Sequence, residues 1–144
     1  MKKIYMIEVS QPIGTFYVGC MSADDVIAIS KVSRREGSNG HQRQLKENRA
    51  KEIALYCQDP DATFPTPVIL SIDKDNFVLE DSIVPGLSCF SYNEHSKIAE
   101  ILDGQHRIAG IMKSDNRNFD LPVVVMFNLK EEQKAYVFST INGH

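Results

Sequence analysis

Five consecutive residues, Asp103-Gly104-Gln105-His106-Arg107, bring together a carboxylate, a glycine, an amide, an imidazole and a guanidinium. Arginine can grip a phosphate with two parallel N–H bonds, and histidine adds a donor whose charge depends on pH. Glycine lets the backbone turn sharply and bring its own N–H groups close to a ligand. That set suits the positioning and neutralisation of an anion. Nucleophilic chemistry has little support: no serine sits in a nucleophile-elbow setting and no cysteine adjoins His106. No Walker A pattern occurs, so a triphosphate held here is held differently from one in a P-loop.

The flanking residues say how the five are positioned. Lys97 to Leu102 reads as a strand, and Ile108, Ile111 and Met112 recur at helical spacing. A strand, a glycine turn and a helix start therefore lie within a dozen residues. Such a junction aims backbone N–H groups and the positive end of the helix dipole at one spot, where an anion is welcome. A plain structural alternative stands beside this: Asp103 as turn former, Gly104 at positive φ, and His106 and Arg107 solvated in the first turn. Two cations at a helix N-terminus are mildly unfavourable, by roughly 0.3–1 kcal/mol each, and a bound anion would give them a reason to be there.

The pentapeptide and its setting resemble the signature of the DGQHR-domain family, which includes the DndB-type proteins of DNA phosphorothioation loci. The resemblance extends over Gln42-Arg43 through Tyr56, Phe64 to Ile72, and Leu121 to Asn142, in the expected order. More distantly the chain is similar to the ParB/sulfiredoxin-like superfamily, whose members bind nucleoside triphosphates at the equivalent turn. Sulfiredoxin carries a cysteine where this chain has Gln105, so reductase chemistry on a sulfinic acid is not expected. The resemblance implies an α+β fold with a mixed, mostly antiparallel sheet flanked by helices. It also implies a nucleoside triphosphate, ATP first, bound by a protein tied to DNA modification or phage defence, with NTP hydrolysis left open. Asn142 would close the pocket from the last helix. Asp103 would stabilise the turn and orient Arg107, a ligand for Mg²⁺ being its other reading. No base for an attacking water stands out among Glu80, Asp81, Glu94 and Glu100.

At 144 residues, 42% hydrophobic and 24% charged, the chain is expected to form one ordinary globular domain. It has no membrane-length apolar run and no basic, apolar leader, and a cytoplasmic protein is the default expectation. Family members usually continue past Phe138-Ser139-Thr140-Ile141-Asn142, so the chain is read as a minimal member or a fragment. Cys20, Cys57 and Cys89 are too scattered for a zinc site and read as buried free thiols. The net charge of −3 conceals a segment, Lys31 to Lys51, that carries +5 against −8 elsewhere. Arg34, Arg35, Arg43 and Lys46 within it are the candidate contacts for DNA phosphates, in the competing reading of a DNA-binding regulator. A solvated charged face explains the same residues, as a protein–protein adaptor with an idle pocket would explain the signature. Self-association is open as well.

Along the chain, Ile4 to Val9 and Thr15 to Val18 read as a pair of strands. Ser22 with Asp25 resembles a capping box opening a helix that runs to about Arg34. A helix from His41 to Cys57 has Leu45, Arg49, Ile53 and Tyr56 within about a quarter turn. Arg49 on that stripe is expected to point inward, either to a buried acid or to the pocket of Arg107. Val68 to Ile72, Phe77 onward, Leu87 to Tyr92 and Leu121 to Phe127 are the remaining strands, the last of them central and buried. Asn128, with Glu131 three residues on, would cap a final helix whose apolar contacts are Tyr136, Val137 and Ile141.

Overall fold

The computed structural model describes residues 1–31 and 40–142, the side chains of Gln42 and Asn142 excepted. Arg34 and Arg35 lie outside the described residues. The chain opens with a hairpin, β1 (Lys2–Gln11) and β2 (Gly14–Ser22), then α1 (Ala23–Ile29) and α2 (Gly40–Tyr56). Next come β3 (Val68–Ile72), β4 (Phe77–Val84), β5 (Leu87–Tyr92) and β6 (Ala99–Asp103). The order closes with α3 (Gln105–Lys113), β7 (Asp120–Phe127) and α4 (Glu131–Asn142). All seven strands form one sheet in the order β4-β5-β1-β2-β7-β3-β6. Every pairing is antiparallel except β3 with β7. This is the expected α+β class with its mixed, mostly antiparallel sheet.

Period-2 patterning sets which face each strand buries. On β7, Leu121, Val123 and Val125 are fully buried while Val124 is only partly so. On β3, Val68 and Leu70 are sealed and Ile72 nearly so. Against that inner face lie Val26 and Ile29 of α1 and Ile108 and Ile111 of α3, which fill one core with Met6 and Leu70. Toward β4 and β5 the core is aromatic. Phe77 stacks on Tyr92 at 5.0 Å, Tyr17 meets Phe90 edge-on at 5.2 Å, and the Lys74 ammonium lies 5.1 Å from the Phe90 ring centre.

Four expectations need correction. α1 ends at Ile29, not near Arg34, because Ser30 turns extended: its hydroxyl bonds back to the Val26 carbonyl at 2.6 Å, and the backbone bridges Ala99 on β6. Asn128 does not cap α4. It sits at φ 54° and its side chain accepts from the Lys74 N–H at 2.9 Å, while the Lys130 N–H at the helix entrance is taken by Gln133. Tyr136 is exposed, not an apolar contact of that helix. Cys57 and Cys89 are buried free thiols, but Cys20 is exposed.

Candidate functional site

β6 delivers the chain to Gly104, which has φ 107° and ψ 10° and stands directly before α3. An L side chain rarely adopts that conformation, and a Cβ there would press the Val68 methyls at 3.2 and 3.3 Å. The glycine therefore makes both the turn and the close approach of α3 to β3. The Gly104 carbonyl accepts the first helical bond, from Ile108 N–H at 2.9 Å. Gln105 folds its amide back to donate to the Ile101 carbonyl at 3.0 Å, closing the strand–turn–helix junction.

From this junction the signature residues diverge. Gln105 and His106 line a pocket of about 370 Å³. Its apolar wall is Ile101 of β6, Ile27 of α1, and Ile108, Ala109 and Met112 along one face of α3. Its polar rim includes Lys31 after α1, Lys46 of α2 and Lys97 before β6. Lys97 is held in place by donating to the Ile27 carbonyl at 3.1 Å. No carboxylate is among the described lining residues.

The electrostatics follow from that composition. The His106 imidazole is pushed below its ordinary 6.5 by burial first, then by the cationic Arg49 and Lys46 nearby. Burial disfavours charge of either sign, so only the second cause bears on an anion: the Arg49 and Lys46 charges that oppose protonation would attract a negative group.

Arg107 goes elsewhere. Its guanidinium donates to the Thr66 carbonyl in the proline-rich approach to β3, and it is not among the pocket's lining residues. Burial lowers its pKa, and the Asp103 carboxylate acts against that shift. Asp103 is thus close enough to favour the arginine's charge, as an orienter would. The Arg107–Thr66 bond ties the first turn of α3 to the loop that precedes β3.

Arg49 is exposed, contrary to its expected inward aspect. The seam of α2 is one residue further round, through Ala50, Ile53 and Cys57, and Leu45 and Tyr56 are exposed with Arg49. Arg49 still acts electrostatically on His106, although it is not among the pocket's lining residues. Arg43 is likewise exposed on α2, and Lys46 is half-buried at the pocket. Asn142 is the last residue of α4, its side chain outside what is described, and none of the described lining residues comes from α4. Lys31 and Lys97 were not singled out by sequence. Their only local signal is a cation at either end of the Ser30–Ala99 bridge, which becomes visible once that pairing is known.

Fold and site together define an α+β domain with a cation-rimmed, apolar-walled pocket at a strand–turn–helix junction. The chain belongs to the DndB family, described as DNA-sulfur modification-associated, whose match covers residues 4–144. No curated protein and no solved structure matches it. The ParB/sulfiredoxin-like resemblance accordingly rests on sequence alone. Among the described residues no helix is long and apolar enough to cross a membrane, and no group of three His, Cys, Asp or Glu is placed to hold a metal ion.

Proposed function

We propose that this member of the DndB family binds a nucleoside triphosphate, ATP first, in the pocket between α1, α2 and α3. One observation carries the reading: Lys31, Lys46, Lys97 and His106, from four separate segments, converge on a single pocket with an apolar wall. The cations suit the phosphates and the Ile108–Met112 face suits a base, the mix of apolar wall and few polar groups that small-molecule sites use. Lysines and a histidine supply binding and charge neutralisation. No described lining residue is a carboxylate that could activate water, and we assign the site to binding rather than turnover. Mg²⁺, if it takes part, would enter on the phosphates.

Calorimetric titration of ATP, with and without Mg²⁺, tests this. Lys46→Ala should weaken binding by about tenfold or more, the loss of one charge-assisted contact. A folded Lys46→Ala/Lys97→Ala double variant that binds as tightly as the parent would overturn the assignment.

Exposed Arg43 and Arg49 on α2 support a second reading, in which duplex DNA lies against that helix and the pocket is secondary. Phosphate contacts of that kind weaken with salt by a log–log slope of about −0.9 for each phosphate neutralised. Arg43→Ala/Arg49→Ala should then flatten the slope, and salt-independent binding would reject the helix as the contact.

A further inference from the structure

The sheet has two faces, and the first three helices share one of them. α4 packs on the other, at the β6 end, where Lys134 reaches Glu100 at 3.4 Å. The remainder of that outer face, across β4, β5, β1, β2 and β7, carries no helix among the described residues. An antiparallel sheet with one solvated face normally alternates apolar inward with polar outward. Here the outward positions in the middle of the sheet are apolar too. The register sets Val84, Leu87, Ile7, Val18, Val124 and Ile69 side by side in one row across six strands. The row below runs Asp81, Cys89 and Tyr5 on β4, β5 and β1, with Cys20 and Pro122 on β2 and β7; Cys89 itself is buried and Cys20 exposed. Tyr5 is 58% exposed and Ile7 57%, the opposite of what their partners Ile4 and Met6 show on the inner face.

We propose that a second copy of this chain packs on this face, sheet against sheet about a two-fold axis. Size supports that occupant. Five strands about 4.8 Å apart and three rows of outward side chains make a footprint of roughly 24 by 20 Å. Side chains standing off such a footprint expose more than its projected area, which approaches the roughly 800 Å² that each partner commits to a stable pair. Stacked sheets of this kind interdigitate their facing rows at about 10 Å separation. A face that is apolar in its centre is also self-complementary, which a two-fold contact requires. Charge stands at the margins, at Lys3 on β1, at Glu80 and Asp81 on β4 and at Asp120 at the start of β7.

The other route to a symmetric pair, joining two β4 edges, is opposed by the strand itself. β4 carries those two acidic residues and two register breaks, between Leu79 and Asp81 and between Ser82 and Val84. Bulges and like charges are what keep an edge from adding a strand.

Sedimentation equilibrium of the whole chain over two decades of concentration tests the proposal. The expected result is a reversible monomer–dimer equilibrium. Ile7→Lys and, separately, Tyr5→Lys should weaken it by about thirtyfold or more, as loss of a central contact does. Both side chains are solvent-exposed in the single chain, so unchanged melts and circular dichroism will show that the variants fold. Leu55→Lys, at a 75% exposed apolar position on α2, should leave the equilibrium as it was. A parent that stays monomeric throughout overturns the proposal. So does a dimer indifferent to both face variants, or one that Leu55→Lys dissolves equally. ATP affinity is read in the same samples and should not follow the oligomeric state, because the pocket is on the other face.

Discussion

Gly110 of α3 faces Ile53 of α2 so closely that an added Cβ would collide with the Ile53 side chain and come within 3.0 Å of the Ala50 carbonyl oxygen. The two helices meet where Gly110 and Ala50 leave room for the Ile53 side chain, and Lys46, one turn before Ala50, lines the pocket. Gly110→Ala should therefore destabilise the fold by about 1–3 kcal/mol, the usual range for overpacking. That loss outweighs or offsets the roughly 1 kcal/mol that alanine gains over glycine inside a helix. Thermal melts check the sign. ATP affinity should fall in the same variant as α2 moves outward, whereas a more stable protein would show that the seam is looser than described.

The same contact explains what the sequence could and could not show. Gly104, the strand before it, the helix after it and β7 rest on local signals: a glycine, period-2 alternation and helical spacing. The register of α2 is not local. Leu45, Arg49, Ile53 and Tyr56 make the stripe that helical spacing suggests, but close approach to Gly110 selects Ala50, Ile53 and Cys57, and Leu45, Arg49 and Tyr56 stay outside. Lys31 and Lys97 were equally illegible, because they join the pocket only through the pairing of Ser30 with Ala99. His106 could be placed from its neighbours in the chain, whereas the direction of Arg107 depended on Thr66, far away in sequence.

Gly104→Ala should cost more than its position in a turn would suggest. The φ of 107° is strained for any L side chain, by about 1–3 kcal/mol, and the Val68 methyls stand at 3.2 and 3.3 Å. Relief of that strain requires α3 to shift away from β3. We expect a lower midpoint in urea and weaker ATP binding together. A midpoint equal to the parent's would contradict the described turn.

Arg107→Ala separates bracing from ligand contact. Its bond to the Thr66 carbonyl and its proximity to Asp103 predict a loss of stability of order 1–2 kcal/mol, the lower part of the range for bonds from charged donors because the side chain is only half-buried. ATP affinity should change much less than in Lys46→Ala. A folded Arg107→Ala protein that melts normally and has lost ATP binding would put the guanidinium on the phosphates after all.

The last prediction concerns His106 and pH. Burial, Arg49 and Lys46 hold its pKa below the ordinary 6.5 in the folded chain. Between that lowered value and 6.5 the unfolded chain binds the proton and the folded chain resists it, so stability rises with pH through the window. The contribution is complete above 6.5 and is lost as pH falls through the folded value. Without ligand, the melting temperature should therefore fall on acidification more steeply in the parent than in His106→Gln. Arg49→Gln should move the imidazole titration, followed by NMR, upward, since one of the two cations opposing protonation is gone. A bound polyphosphate reverses the cause: its charge favours the imidazolium, so binding near the lowered pKa should be accompanied by proton uptake at His106. Calorimetry in buffers of different ionisation enthalpy counts those protons, and comparison of the parent with His106→Gln cancels the nucleotide's own titration. If parent and variant take up the same number, His106 is not next to the phosphates, and the pocket's ligand must be held by the lysines alone.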